Sequence, residues 1–568
     1  MSETSSPIQR DQRIIVRNLN KYLESQDLSF RLETSGVCRG LALVRCKYIL
    51  EGREDEYYAM LDRISNLKNM SADIEITHFA NDILVAFAPN LFDSSKEQKD
   101  AVSNFKIAGK PLKTSLKVNM ITSDIGWTST FDAINLQKDE VMLLGSPTHA
   151  WSVSRLPDEQ GYRLADPNDP QGYVDYQDST ALVGAIHTIA STYGWQGDLG
   201  LDLEIVRHPK ASPRNPPLPS AKQIYNAFMD LQSQFADKAG LQEWDQLKYL
   251  CRSDNTDGIE VLFQTSNPKP TDKELIKGLA LAVSYNSSKT IKFFLDNPSP
   301  YLQQVMQTQQ TSESFFNAAI KDGKYGSFQA LAQHALTHPY YLSMLTQKNA
   351  TALIHNAATG GSLEILQKLI SDFTQNATPP LPLSELAKTI KSKIKGEDAI
   401  EAAIGKKGEC GTSNTQCISQ LLDILQKTNK MPDDLTLQHY LLKAIETNQP
   451  HLVKLFCDTI KTLPSKHQEL LFKSISLTPT TARKTDYSVL KELEKASIDL
   501  SGVRGVMKEK AGNATGVLDS IGDKLCKFNN WLGGVTAANN MSYCKHRLKE
   551  LKEKASDENN PTTNNSLP

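Results

Sequence analysis

The sequence predicts two kinds of structure in one chain, an α+β region followed by an all-α repeat region. Short runs rich in β-branched and aromatic residues alternate with turn signals between residues 140 and 206. After a proline-rich segment, strand patterns nearly vanish, and small residues recur at roughly 40-residue intervals in helical sequence. Because 568 residues exceed the usual size of one hydrophobic core, we expect two to four domains.

The composition excludes several classes of function. The 63 basic and 65 acidic residues give a formal net charge of −2, so no general electrostatic attraction to nucleic acid or anionic membranes is expected. Eight irregularly spaced cysteines argue against a disulfide framework and favour a reducing compartment. The first residues lack the apolar core of a Sec signal peptide, and no run of about 18 apolar residues predicts a transmembrane helix.

The α+β region opens with two predicted helices. Residues 11–25 carry apolar side chains at helical spacing. A second helix begins near Cys38, directly after the turn-like Thr-Ser-Gly of residues 34–36. Its apolar face is formed by Val37, Leu41, Val44 and Tyr48. Mixed helix and loop are expected from there to about residue 137.

Four later segments have the composition of strands. They are EVMLLG (140–145), HAWSVSRL (149–156), GYRLADP (161–167) and LGLDLEIV (199–206). The first three are separated by Ser-Pro and by Pro-Asp-Glu-Gln-Gly, which are turn signals. We therefore expect helices packed on an antiparallel sheet.

The predicted boundaries follow from these changes of pattern. Residues 208–220 contain five prolines in thirteen residues, which predicts an extended, semi-rigid linker. The full division is an α+β domain at 12–207, the linker at 208–220, a helical connector at 221–270, about four to five repeats at 271–461, a helical cap at 462–555 and a disordered tail at 556–568. A cap is required because the last repeat would otherwise expose its apolar face.

The repeats are marked by buried-type small residues and by reversing turns. The small residues are Ala282, Ala319, Ala357, Ala403 and Ala444, and the turn residues are Asn286, Gly323, Gly361 and Asn448. The pattern resembles ankyrin repeats, most closely where Gly361 is followed by SLEILQKLI. A HEAT-like or irregular α-solenoid is the alternative. Residues 405–417 are expected to be an insertion of the kind that often projects from a binding face.

Cys38 is the residue whose position best suits covalent chemistry. A cysteine thiol with an ordinary pKa of about 8.5 is mostly protonated at neutral pH, so a nucleophilic cysteine needs a histidine partner, a helix N-terminus or both. Cys38 follows a glycine-containing turn and opens a predicted helix, whose dipole favours a thiolate. The alternative is a small structural residue of the core.

His149 is the candidate base, at the turn between the first two strand segments. If Leu156 pairs with Gly161 across the next turn, His149 lies opposite Asn168 and diagonal to Asp166. His149 and Asp166 then share one face of the sheet, whereas a one-residue slip would separate them. In this register Asp166 can orient the imidazole and support its charged form.

This order of cysteine, histidine and aspartate resembles that of papain-clan cysteine proteases, most closely the YopT-type effector proteases of pathogenic bacteria. The shared motifs are Gly36-Val37-Cys38-Arg39-Gly40-Leu41 and His149-Ala150. The resemblance covers roughly residues 12–205 and implies a papain-like fold. It also implies that Cys38 is the nucleophile, His149 the general base and then acid, and Asp166 the orienting carboxylate.

The oxyanion hole departs from the papain pattern. Papain-like enzymes usually place Gln or Asn several residues before the nucleophile, but Leu32 stands six residues before Cys38. The N–H of Cys38 can supply one donor, and the candidates for the second are Ser35, Arg31, Gln26 and Asn20. Three functions stay open: a thiol protease or acyl-transfer enzyme, a catalytically inactive scaffold that binds through the repeats and the 405–417 insertion, and a deubiquitinase or deamidase.

The whole arrangement resembles the ankyrin-repeat effectors that intracellular bacteria such as Legionella and Coxiella inject into host cells through a type IV system. The resemblance implies a host protein as partner of the repeats, the type IV machinery as a second partner, and a role in virulence within the host cytosol or nucleus. No cofactor is expected. Cys410 and Cys417 lack the second pair of ligands that a zinc site requires.

Overall fold

The computed structural model of the chain describes residues 9–26, 31–32, 37–67, 71–89, 98–236, 243–405 and 414–475, together with scattered residues between 477 and 507. It consists of an α+β region with a six-stranded sheet, followed by a helical C-terminal region. Within these ranges no helix combines the length and the apolar character needed to cross a membrane.

Four helices precede the sheet. They are α1 (Gln12–Ser25), α2 (Cys38–Leu50), α3 (Glu54–Ser65) and α4 (Ile74–Phe87). The first two confirm the predicted helices, and α2 begins at Cys38 itself. A β-carbon added at Gly40 would lie 2.9 Å from Ile83, so glycine at this position allows α2 and α4 to pack closely.

The large sheet is antiparallel and has six strands: β3 (Lys113–Thr122), β4 (Glu140–Gly145), β5 (Ala150–Arg155), β6 (Tyr162–Ala165), β7 (Val174–Tyr176) and β9 (Leu199–Arg207). Across the sheet their order is β3-β9-β4-β5-β6-β7. A small hairpin pairs β1 (Lys106–Ile107) with β2 (Lys110–Pro111), and α5 (Asp124–Ile134), α6 (Ser179–Thr192) and β8 (Gln196–Gly197) complete the region. All four predicted strands are confirmed, whereas β3 lies where helix and loop were expected.

Strand β4 is buried on both faces, which explains its unbroken apolar sequence. Val141 and Leu143 pack in the core formed with α1–α4. Met142 and Leu144 point the other way, into a core that includes α5 and α6 and continues into the helical region. The sheet therefore separates two apolar layers.

The hairpin of β5 and β6 has the predicted register. The N–H of Leu156 donates to the carbonyl of Gly161 at 3.1 Å, and Ser152 lies opposite Ala165. Extending this pairing places His149 opposite Asn168, as expected from the sequence. The polar turn Pro-Asp-Glu-Gln-Gly thus sets which side chains share a face.

The segment after the proline-rich linker packs back on the sheet. It comprises α7 (Ala221–Phe228), β10 (Phe235–Ala236), β11 (Glu243–Trp244), α8 (Gln246–Arg252) and α9 (Thr256–Thr265). The N–H of Asn119 in β3 donates to the hydroxyl of Tyr225 at 2.9 Å. In the linker itself, Arg214 pairs with the buried carboxylate of Glu140 at 3.3 Å. The strands β10 and β11 were not predicted, and the domain boundaries stay predictions.

The helical region is built from antiparallel hairpins. These pair α10 (Asp272–Ser284) with α11 (Ser288–Asp296), α13 (Gln309–Lys321) with α14 (Tyr325–Gln333), α16 (Gln347–Gly360) with α17 (Leu363–Gln375), α19 (Ala399–Gly405) with α20 (Thr415–Lys427) and α21 (Asp434–Glu446) with α22 (Pro450–Ile460). The predicted turn residues Asn286, Gly323, Gly361 and Asn448 all have positive φ, between 54° and 77°. The five predicted alanines are fully buried. The repeated hairpins are therefore confirmed.

Three of the four connections between hairpins contain a helix, where an ankyrin unit would have a β-turn. These helices are α12 (Pro300–Met306), α15 (His338–Met344) and α18 (Leu383–Lys391), and α23 (Ser465–Ser474) and α24 (Tyr487–Lys495) follow the last hairpin. The ankyrin assignment consequently stays a prediction. Residues 406–413 of the predicted insertion, the part of the predicted cap beyond residue 507 and the predicted tail lie outside the described residues.

Candidate active site

Cys38 is the first residue of α2 and is partly exposed. Its N–H lies in the first turn, where a helix offers no backbone acceptor. The preceding residue, Val37, is held by a hydrogen bond from its N–H to Oε1 of Gln12 at 2.9 Å. Because the rest of α2 is buried between α4 and the sheet, the start of the helix is fixed in place.

His149 lies at the end of a tight turn that precedes β5. Its N–H donates to Oγ of Ser146 at 2.8 Å, and the Ser146 N–H donates to the His149 carbonyl at 2.8 Å. The ring edge contacts Trp151 at a centroid distance of 4.8 Å. These contacts leave the imidazole 2% exposed.

The imidazole lies between Cys38 and Asp166. Its Nε2 is 2.8 Å from Oδ1 of Asp166, and interactions with Cys38 contribute to the raised pKa of the ring. Since Nε2 contacts Asp166, Nδ1 is the nitrogen left for the thiol. The structure thus brings together all three residues that the sequence singled out, in the order sulfur, imidazole, carboxylate.

The electrostatics favour a charged imidazole. Burial lowers the pKa of His149, but the hydrogen bonds to Asp166 and Cys38 outweigh it and raise the pKa to about 9. At neutral pH the ring is therefore held as imidazolium. An imidazolium beside a cysteine sulfur is the arrangement that stabilises a thiolate.

Asp166 is held by groups outside the predicted trio. Its Oδ1 also accepts the N–H of Asn168 at 2.8 Å, and the Asn168 amide donates to the hydroxyl of Tyr193. The Tyr193 ring lies 4.7 Å from the His149 ring, and its burial raises the Tyr193 pKa to about 12. Tyr193 is therefore a neutral neighbour of the pair.

Gln12 is the site residue that the sequence reasoning missed. Its Oε1 accepts the Val37 N–H, and its Nε2 donates to Oδ1 of Asn168 at 2.5 Å. Gln12 thus connects the start of α2 to the Asp166 side of the site. The only available signal was a glutamine near the start of α1, 26 residues before Cys38, whereas the family pattern directs attention to the preceding few residues.

The predicted second oxyanion donors have other roles where they are described. The side-chain amide of Asn20 is bonded to the backbone of Leu32: its nitrogen donates to the Leu32 carbonyl at 2.9 Å, and its oxygen accepts from the Leu32 N–H at 2.8 Å. The Gln26 amide donates to Ser25 at 3.0 Å. Ser35 lies outside the described residues, as does Gly36 of the nucleophile motif. The second oxyanion donor therefore stays unassigned.

A second histidine–aspartate pair lies in the same region without a cysteine. His187 on α6 bonds Asp124 at the start of α5 at 2.6 Å, and both side chains are substantially exposed. Among the described residues, no three His, Cys, Asp or Glu side chains converge in a way that could hold a metal ion. The chemistry available at the Cys38 site is nucleophilic attack by sulfur, with His149 moving the proton.

No protein-family model matches the chain, and no curated protein or solved structure is similar to it beyond chance. The interpretation of the site consequently rests on its own geometry.

Proposed function

We propose that the chain is a bacterial effector delivered into host cells, with a papain-like thiol hydrolase or acyl-transfer site formed by Cys38, His149 and Asp166. The observation that carries the proposal is the buried His149 ring, which is bonded to Asp166 through Nε2 and whose pKa is raised by its interactions with Asp166 and Cys38. A structural cysteine needs no charged imidazole beside it, whereas a nucleophile does.

The reaction follows from the positions of these groups. The Cys38 sulfur attacks an acyl carbon to form a thioester, and the His149 imidazolium gives its proton to the leaving group. The neutral imidazole then takes a proton from water, whose oxygen attacks the thioester and releases the carboxylic acid and the Cys38 thiolate, which restores the imidazolium–thiolate pair. Asp166 keeps the ring oriented through both steps. The N–H of Cys38 is the candidate donor to the oxyanion.

Alkylation of Cys38 by iodoacetamide tests this function. We expect the second-order rate constant at pH 7 to fall by about 10–100-fold in His149→Ala, because the thiolate loses its cationic neighbour. Mass spectrometry of the modified peptide measures the rate at this one cysteine. His187→Ala removes the other described histidine that pairs with an aspartate in this region and should leave the rate unchanged. Equal rates in wild type and His149→Ala would contradict the enzyme.

The helical region is proposed to bind a host protein. Large apolar side chains are exposed at recurring positions between or beside the hairpins. They are Tyr301, Leu342, Leu383, Leu435 and Leu470, which are between 41% and 77% exposed. One such side chain per repeat supports a contact surface along the array, since each is available without unfolding.

Delivery into host cells is tested with a translocation reporter fused to the N-terminus of the full chain. We propose that the polar tail at residues 556–568 carries the secretion signal that the type IV machinery reads, so we expect reporter fluorescence in the host cytosol only when that machinery is intact. Removal of residues 556–568 should abolish the reporter readout in the host cytosol. A tagged chain that lacks only residues 1–8 is the control and should keep that readout. Signal that persists without the machinery would contradict this route.

The inactive scaffold is the second candidate, and one observation favours it. The Gln12 amide nitrogen is bonded to Asn168 and is not directed at an open oxyanion position. If the protein is an inactive scaffold, the alkylation rate of Cys38 can still depend on His149, but the protein does not hydrolyse acyl substrates. The hydrolysis assay described in the Discussion separates the two.

A further inference from the structure

The turn that carries His149 contacts a segment about a hundred residues downstream. This turn, residues 146–149, is closed by reciprocal hydrogen bonds between Ser146 and His149. The N–H of Thr148 also donates to Oγ of Ser146, at 3.2 Å. A displacement of Ser146 would therefore displace His149 with it.

Arg252, the last residue of α8, reaches this turn from the helical region. One guanidinium nitrogen donates to the Ser146 carbonyl at 3.3 Å, and another to Oδ2 of Asp202 at 3.0 Å. Asp202 lies on β9 and also accepts from Asn119 and Ser253, at 2.7 and 2.9 Å. Burial alone would raise the pKa of Asp202, but Arg252 and these hydrogen bonds outweigh it and lower the pKa. The aspartate is thus a permanent charge that anchors the guanidinium.

Aromatic rings hold Arg252 and the turn from the same side. The guanidinium lies 5.5–5.8 Å from the ring centroids of Trp244, Tyr249 and Tyr285. Trp195 donates to the Thr148 hydroxyl at 3.1 Å and stacks on Phe235 of β10 at 5.3 Å. The turn is therefore packed against residues that follow the proline-rich linker.

The first repeat hairpin contacts the same arginine. The hydroxyl of Ser287, in the turn between α10 and α11, donates to the Arg252 carbonyl at 3.0 Å. The N–H of Thr290 in α11 donates to Asp254 at 2.8 Å. The position of Arg252 consequently depends on the first hairpin of the repeat array.

We propose that Arg252 is a positioning residue for His149, so that the helical region completes the candidate active site by holding the 146–149 turn. The inference rests on the proposed function and describes how the reactivity of Cys38 at that site is regulated. A partner that moved the α10–α11 turn would change the reactivity of Cys38 without touching it. Arg252 acts through Ser146, because the charged and titratable groups facing the imidazole in the described part of the chain are Cys38, Asp166 and Tyr193.

The test measures alkylation of Cys38 by iodoacetamide in the full-length protein between pH 4 and pH 10. In Arg252→Lys, one ammonium group replaces two separate nitrogens, so Asp202 stays paired while the contact with Ser146 is lost. We expect a rate about tenfold lower at pH 7 and a pH profile displaced toward that of His149→Ala, since small displacements of a catalytic group have large kinetic effects. Arg252→Gln should show the same displacement, because it removes both contacts.

Arg207→Gln is the matched control. Arg207 lies on β9, the strand that carries Asp202, is 12% exposed where Arg252 is 15% exposed, and pairs with Glu140, away from the 146–149 turn. This variant should lose stability in urea while it keeps the wild-type pH profile. A wild-type profile in folded Arg252→Lys would overturn the inference and leave the enzyme intact. Equal alkylation rates in the wild type and in His149→Ala would overturn both this inference and the proposed function.

Discussion

Replacing Arg45 with alanine should lower the free energy of unfolding by about 3–5 kcal/mol, which is the cost of breaking a buried, fully bonded ion pair. Arg45 lies on α2 and is 1% exposed. It donates to Glu54 at 2.5 Å, to the Tyr58 hydroxyl at 2.9 Å and to the backbone and side chain of Ser152 on β5. Without the guanidinium, Tyr58 and Ser152 would lose a buried donor, and Glu54, which is 25% exposed, would lose its ion-pair partner.

Urea denaturation followed by far-UV circular dichroism measures this loss, with the first transition compared between variants. Arg53→Ala is the control, because Arg53 is 47% exposed and pairs with Glu51 and Glu56 near the surface. Its removal should change the free energy of unfolding by less than about 0.5 kcal/mol. Similar effects of the two substitutions would show that Arg45 does not hold α2 on the sheet.

Replacing Asp166 with alanine should lower kcat/KM for hydrolysis of p-nitrophenyl acetate by about 10²–10⁴-fold, provided that the site turns over. The loss arises because the imidazole has no partner to orient Nε2 or to support its charge. Asp166→Asn should lose less, since its amide oxygen can still accept from Nε2. Asp124→Asn alters the exposed pair with His187 and serves as the control.

The pH dependence of the same variants has a definite sign. His149 has a pKa of about 9 in the folded protein, above the ordinary 6.5. Its charged form therefore contributes stability that is fully present below about pH 6.5 and is lost as the pH rises through about 9. In Asp166→Asn the pKa of His149 should fall, so this stability should be lost at a lower pH than in the wild type. The decline of the hydrolysis rate on the alkaline side should likewise begin at a lower pH. An unchanged profile would contradict the role of Asp166. A wild-type protein that is alkylated in a His149-dependent way and hydrolyses no ester would favour the inactive scaffold.

The local parts of this site could be predicted from the sequence. The strand period of two and the turn between Leu156 and Gly161 together set the register, and the register brings His149 and Asp166 together. The start of α2 at Cys38 followed from a turn next to an apolar helical face. These features depend on residues near each other in the chain, where propensity and spacing are informative.

The parts that were missed depend on distant contacts. Strand β3 begins with exposed polar residues and becomes buried only in its second half, where β9 and the later helices cover it. Gln12 reaches the site because α1 lies against Val37 and Asn168, a contact across 156 residues in the second case. Arg252 meets Ser146 across 106 residues. No local pattern marks such partners, since tertiary packing alone selects them.

The contact of Arg252 with the His149 turn has a consequence for biosynthesis. Arg252 leaves the ribosome 86 residues after Asp166, which takes roughly 4–17 s at ordinary rates of translation. During that interval a nascent chain contains Cys38, His149 and Asp166, but not the guanidinium that bonds Ser146. A fragment that ends at the proline-rich linker never acquires it, so we expect Cys38 to become reactive only late in the synthesis of the chain.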